Sequence, residues 1–119
     1  LTREPAGAVT VRAVDGGTIR VGDTTYREPV ALAGDRVLGT WEPTPIADLT
    51  VGHFRDLIAL TPELIVLGTG ATQEFAPRGL VFALARASIG FEVMTSAAAA
   101  RTFNVLATEG RKVAAVLYP

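Results

Sequence analysis

Two hydrophobic rhythms divide this chain. Up to Trp41 apolar and polar positions alternate in short runs broken by turn residues, whereas beyond Pro62 apolar residues come in blocks separated by segments with helical spacing. Val9-Thr10-Val11-Arg12-Ala13-Val14 and Thr18-Ile19-Arg20-Val21 flank Asp15-Gly16-Gly17. Asp-Gly between alternating runs predicts a hairpin, because glycine takes positive φ at little cost. Gly22-Asp23 then leads into a strand over 24–30, and Gly34-Asp35 into another over 36–41. Pro43 and Pro45 stop that strand, since proline has no N–H for a ladder. Residues 49–60 read as a short helix or an irregular bridge.

In the second half Leu64-Ile65-Val66-Leu67 is the uninterrupted apolar run of a strand buried on both faces, and Gly68-Thr69-Gly70 ends it. Pro77 suits a first helical turn; Leu80, Ala83, Leu84 and Ala87 share one helical face, and Gly90 is placed to cap it. Phe91-Glu92-Val93-Met94 is the next strand. Thr95 or Ser96 then caps an alanine-rich helix over 97–109 that Gly110 closes, and a last strand covers 112–118. Strand, helix, strand, helix, strand implies parallel neighbours joined by right-handed crossovers. The expectation is an α/β fold in one domain over 1–119, β-rich to residue 48 and α/β from residue 49.

Composition narrows the function. A length of 119 residues suits one core, and 49% hydrophobic against 19% charged residues supplies the apolar surface to order it. Ten arginines and Lys112 are scattered among twelve acids, for a formal charge of -1, so a nucleic-acid partner is not expected. Without cysteine there is no disulfide, thiolate nucleophile or cysteine-ligated metal. No stretch approaches the roughly 20 apolar residues that cross a bilayer, so no membrane span is expected. Leu1-Thr2-Arg3-Glu4-Pro5 has charges and a proline in place of an apolar leader, which leads to the expectation of a cytoplasmic protein.

Four segments carry a family resemblance: Leu64-Ile65-Val66-Leu67-Gly68-Thr69-Gly70, Gly90-Phe91-Glu92-Val93-Met94-Thr95, Thr102-Phe103-Asn104-Val105-Leu106 and Glu109-Gly110-Arg111. In order and spacing, across 62–119, they resemble a family known as a domain of unknown function. It was first described from an archaeal protein and includes a mitochondrial assembly factor for respiratory complex I. The first half is similar more loosely, through its strands and Asp48-Leu49-Thr50. The resemblance implies a compact three-layer α/β fold around a mixed central sheet, and a role through protein contacts like that of the mitochondrial members.

The residues themselves offer one place for a ligand. Gly68, Thr69 and Gly70 follow a strand, but Gln73 stands where a dinucleotide fingerprint needs its third glycine and the next helix starts only near Pro77. Parallel sheets bind ligands at the carboxyl ends of their strands, where Gly68 to Gly70 should meet Thr95 and Ser96. Backbone N–H groups there, with Arg101 and Asn104 from a polar stripe that continues to Thr108, could hold a small anion. The plainer alternative is a glycine turn beside a solvated helix face.

His53 with Asp56 could pair as base and orienter, yet no serine or cysteine nucleophile is near in sequence, and a capping or surface histidine is the simpler reading. Acid pairs such as Glu42 with Glu63 or Glu74 with Glu92 are what any chain with twelve acids offers. Trp41 is a core residue or an interface anchor. No catalytic residue, metal or cofactor is assigned. The expectation is a non-enzymatic binding or assembly module with a protein partner; the alternative is a binder of, or enzyme acting on, an anionic ligand at the strand ends.

Overall fold

A computed structural model describes residues 9–119; the opening Leu1-Thr2-Arg3-Glu4-Pro5, and the expectation drawn from it, lie outside the described residues. β1 (Val11–Asp15), β2 (Thr18–Val21) and β3 (Thr24–Tyr26) form a three-stranded antiparallel sheet in that order. Both turns are two residues long. Gly16 and Gly17 take φ of +54° and +86°, the type I′ combination that matches the twist of paired strands. At Gly22-Asp23 the glycine alone is left-handed, with φ of +56°, as the first position of a type II′ turn requires.

The strand expected over 24–30 is two strands in different sheets. Thr24 and Thr25 are exposed on β3, while Val30 to Ala33 of β4 (Val30–Ala33) are buried on both faces. Between them Pro29 has no N–H to donate, so the ladder with β2 ends and the chain crosses to the larger sheet. β5 (Val37–Thr40) turns back on β4 as its antiparallel edge. The bridge that follows consists of two 3-10 turns, Ile46–Asp48 and Val51–Phe54, running into one turn of α-helix, α1 (Arg55–Ile58).

The rest is strand and helix in alternation: β6 (Leu64–Gly68), α2 (Arg78–Arg86), β7 (Gly90–Met94), α3 (Ser96–Thr108) and β8 (Val113–Leu117). The five-stranded sheet has the order β5-β4-β8-β6-β7. β6 is parallel to β7 on one side and β8 on the other, while β4 is antiparallel to β8, so the sheet is mixed. The chain steps from β6 to β7 in one direction and from β7 past β6 to β8 in the other. Right-handed crossovers in opposite directions place their helices on opposite faces.

Side-chain alternation then splits the core in two. Ile65 and Leu67 of β6 and Ala114 and Val116 of β8 pack with Leu80 and Leu84 of α2 and with Phe54 and Leu57 of the bridge. Val66, Ala115, Leu117, Val30 and Leu32 pack with Ala99, Ala100 and Phe103 of α3 and with Val11, Ile19 and Val21 of the small sheet. The expected three layers are these: bridge and α2, the mixed sheet, then α3 beside the small sheet.

Helix ends follow the sequence with one correction. Thr95 caps α3, its hydroxyl accepting from the Ala98 N–H at 3.3 Å, and Gly110 after the helix has φ of +76°. The left-handed residue after α2 is Ser88, with φ of +61°, and not Gly90. Gly90 opens β7, where a Cβ would lie 3.1 Å from Leu64 and 3.2 Å from the Glu63 carbonyl. Its missing side chain serves strand approach there.

Phe103 is fully buried where α3 crosses the sheet. Phe103→Ala should therefore cost about 3–5 kcal/mol in a urea melt. A loss below about 1 kcal/mol would mean that α3 is not seated on Val66 and Ala115.

Candidate functional site

The carboxyl ends of β6, β7 and β8 meet where sequence placed the ligand site, and their polar atoms are bonded to one another. Ser96 is completely buried at the start of α3. Its hydroxyl accepts from the Gly70 N–H at 2.8 Å and donates to the Tyr118 carbonyl at 2.6 Å, while its own N–H donates to the Gly70 carbonyl at 2.9 Å. Thr69 N–H donates to the Met94 carbonyl, and its hydroxyl donates to the Thr72 carbonyl at 2.8 Å and accepts from Glu74 N–H at 3.1 Å. Among the described residues no buried side-chain polar atom lacks a partner. Gly68 is the reason the helix comes so close: a Cβ on it would lie 2.8 Å from both the Cα and the hydroxyl of Ser96.

Gly68, Thr69, Gly70, Thr95 and Ser96 are thus brought together, while Arg101 and Asn104 face elsewhere. Arg101 is five residues along α3 from Ser96, hence about 140° around its axis. It is exposed, and with Asn104 it lines a shallow groove of about 200 Å³ between α3 and β1, opposite Arg12. Asn104 does not join a solvated stripe. Its side-chain oxygen accepts from the Val11 N–H and its amide donates to the Val11 carbonyl, both at 2.9 Å, so it pairs with β1 as a neighbouring strand would. Val11 lies at a bulge where the β1–β2 register shifts, which leaves those backbone groups to be matched from outside the sheet.

His53 and Trp41 belong to the bridge. The Nδ1 of His53 accepts from the Thr50 N–H at 3.0 Å, which caps the turn that leads into α1. Trp41 stands edge-on to Phe54 with centroids 5.1 Å apart, and Phe54 edge-on to Phe91 at 6.0 Å, an aromatic file from the bridge to β7. Trp41 packs against the α2-side core, so its core reading holds.

Sequence reasoning passed over a surface. α2 turns Leu80 and Leu84 into the core, and its opposite face carries Arg78, Phe82 and Arg86 at four-residue spacing, all exposed. Phe82 is 53% exposed, and Phe75 in the preceding loop is 92% exposed. The signal was in the helical period itself, which puts Phe82 opposite the stripe of Leu80, Ala83, Leu84 and Ala87.

Two measurements test the strand-end geometry. Gly68→Ala should be strongly destabilising, since the new methyl meets backbone at Ser96. Gly79→Ala in α2, where nothing lies within 4 Å, should stabilise by up to about 1 kcal/mol. Equal melting shifts for the two would refute the close packing of α3 on β6. The second concerns Tyr118, whose hydroxyl donates to the Thr44 carbonyl at 2.7 Å. Burial, and then the negative charge of Glu74, push its phenol up from 10.0 to about 12. The folded state therefore holds this proton more tightly. Its contribution is complete below pH 10 and is lost as pH rises from 10 to 12. Tyr118→Phe should flatten that alkaline loss in denaturant melts; an unchanged pH profile would refute it.

Comparison with known proteins agrees with this architecture. A family model described as "Protein of unknown function (DUF498/DUF598)" matches residues 11–118. The chain is similar to the human NADH dehydrogenase [ubiquinone] 1 alpha subcomplex assembly factor 3, 30% identical over all of this chain and 65% of that protein. It is also similar to a protein of Francisella tularensis called "13 kDa major membrane protein", 29% identical over 77% of this chain and 76% of that one. Among the described residues no helix is long and apolar enough to cross a membrane. Among solved structures, a Bordetella parapertussis protein superposes with a TM-score of 0.87 at 35% identity, over 97% of this chain and 99% of that one. The chain belongs to the DUF498/DUF598 family and shares its fold with the Bordetella structure, and its human relative is named as an assembly factor for NADH dehydrogenase [ubiquinone] 1 alpha subcomplex.

Proposed function

We propose that this chain is a non-enzymatic binding module that works through protein contacts, in an assembly-factor-like role, and that the contact is made by the outward face of α2 and the loop before it. The observation that carries this is the exposure of Phe75 and Phe82. Single exposed apolar residues are ordinary. Two phenylalanines with the 39%-exposed Val81, bordered by Arg78 and Arg86, have the composition of an interface centre, rich in aromatic residues and arginine. The partner that fits is a protein with an apolar pocket rimmed by carboxylates. The relationship to a protein named as an assembly factor supports the same reading. In this proposal Gly68, Thr69, Gly70, Thr95 and Ser96 serve as scaffold, supported by their bonds to one another, and an anionic ligand is not required there.

The test is a photo-crosslinking side chain at position 82, with a second at position 101 as control, expressed in the cell of origin. Position 82 should yield one discrete protein adduct that Phe75→Ser and Arg86→Glu reduce. Those surface changes should move stability by no more than about 0.5 kcal/mol. No adduct at 82, or the same adduct from 101, would overturn the assignment of this face.

A further inference from the structure

The amino-terminal end of the parallel strands, opposite the bonded cluster of Ser96, carries an open cleft of about 490 Å³. Three pieces of chain enclose it: the turn from β4 to β5, the segment from α1 to β6, and the passage from the end of α3 into β8. Leu60, Pro62, Ala107 and Val113 give it an apolar floor. Gly34 faces Ala107 across it, and a Cβ at residue 34 would come within 4.0 Å of the Ala107 methyl, so small residues keep the space open. Ligand pockets usually measure about 300–1,000 Å³.

The rim is cationic. Arg36, Arg111 and Lys112 line it, with Asp35 the one acid. Arg36 lies 3.0 Å from Asp35, and Arg111 lies 3.3 Å from Glu63 just outside the cleft. Glu63 is held below the usual carboxylate range, first by the Lys112 N–H it accepts and then by the Arg111 guanidinium, so it is charged at neutral pH. Both ion pairs are half-exposed, and such pairs hold their partners weakly, leaving each guanidinium free to swing to an incoming anion. The Lys112 ammonium donates to the neutral Thr61 hydroxyl at 3.2 Å and makes no ion pair among the described residues. Lys112 also lowers the Glu63 pKa through its charge, and the three cations with Asp35 and Glu63 leave a net charge of +1 among these groups.

We propose that this cleft is a binding site for a small monocarboxylate with an apolar body, its carboxylate on Lys112 with Arg36 or Arg111 and its body on Leu60, Pro62 and Val113. A single negative charge matches the net charge of +1 on these groups. A phosphate dianion fits less well, because the carboxyl end of α3 at Ala107 and Gly110 turns the negative end of the helix dipole toward the cleft. This site is separate from the α2 face, so either assignment can fail without the other.

Hexanoate is the probe, titrated into the isotope-labelled chain and followed by amide NMR. Saturable shifts should appear at Gly34, Arg36, Gly110, Lys112 and Val113 and not at Arg78 or Phe82. Neutral hexanol should bind more weakly, and inorganic phosphate should not displace hexanoate. Lys112→Gln removes an exposed charge bonded only to a neutral hydroxyl, so the fold should persist while hexanoate affinity falls about five- to tenfold. Ala107→Phe should fill the cleft and abolish the shifts. Absence of saturable shifts, equal affinity for hexanol, competition by phosphate, or unchanged affinity in Lys112→Gln would each overturn the proposal.

Discussion

The approach of α3 to β6 at Gly68 is the constraint from which most of this structure follows. With no side chain on Gly68, the first residue of α3 lies directly on the strand, and the buried Ser96 hydroxyl ties Gly70 to Tyr118. A hydroxyl suits that position because it can accept and donate at once. Once Ser96 is fixed, the helical repeat carries Ala99, Ala100 and Phe103 over Val66 and Ala115. It also brings Asn104 to the unpaired backbone of Val11. The helix is therefore tied to the large sheet at its start and to the small sheet at its middle, and the small sheet is held by that second tie together with Val11, Ile19 and Val21 in the shared core.

The same arrangement separates the surfaces. At the carboxyl ends of the strands the polar groups of Thr69, Gly70 and Ser96 are hydrogen-bonded within the chain, while the outer face of α2 exposes Phe82 and the amino ends hold the cleft lined by Gly34, Ala107 and Lys112. One is apolar and convex with arginines at its border. The other is concave, with an apolar floor and a cationic rim. The first is proposed above to meet a protein and the second a small acid.

Legibility in the sequence tracked how local each determinant is. The glycine turns at 16–17 and 22, the run of β6, the Thr95 cap and the Gly110 terminus are set within a few residues, and all could be read. The division of 24–30 between two sheets could not, because β4 is held by β8, more than eighty residues away by the pairing of Val30 with Leu117. Long-range pairing also explains the candidate site. Gly68, Thr69, Gly70, Thr95 and Ser96 could be grouped from topology rules, but the close contact of Gly68 with Ser96 appears only in the folded chain. Asn104 looked like part of a wet stripe because nothing in its own helix reveals a bulge at Val11. The cleft at Lys112 depends on three distant segments and leaves no local pattern at all.

β8, the last strand along the described chain, lies in the middle of the sheet between β4 and β6. During synthesis the hairpin of β4 and β5 therefore emerges with one edge of β4 unsatisfied, and β6 with β7 emerges as a second fragment with its own bare edge. Neither can close until Val113 to Leu117 arrives between them. Such a fold concentrates its cooperativity in its final step, and until then the nascent chain presents two apolar edges, Val30 to Ala33 and Leu64 to Gly68, that are templates for pairing with the wrong neighbour.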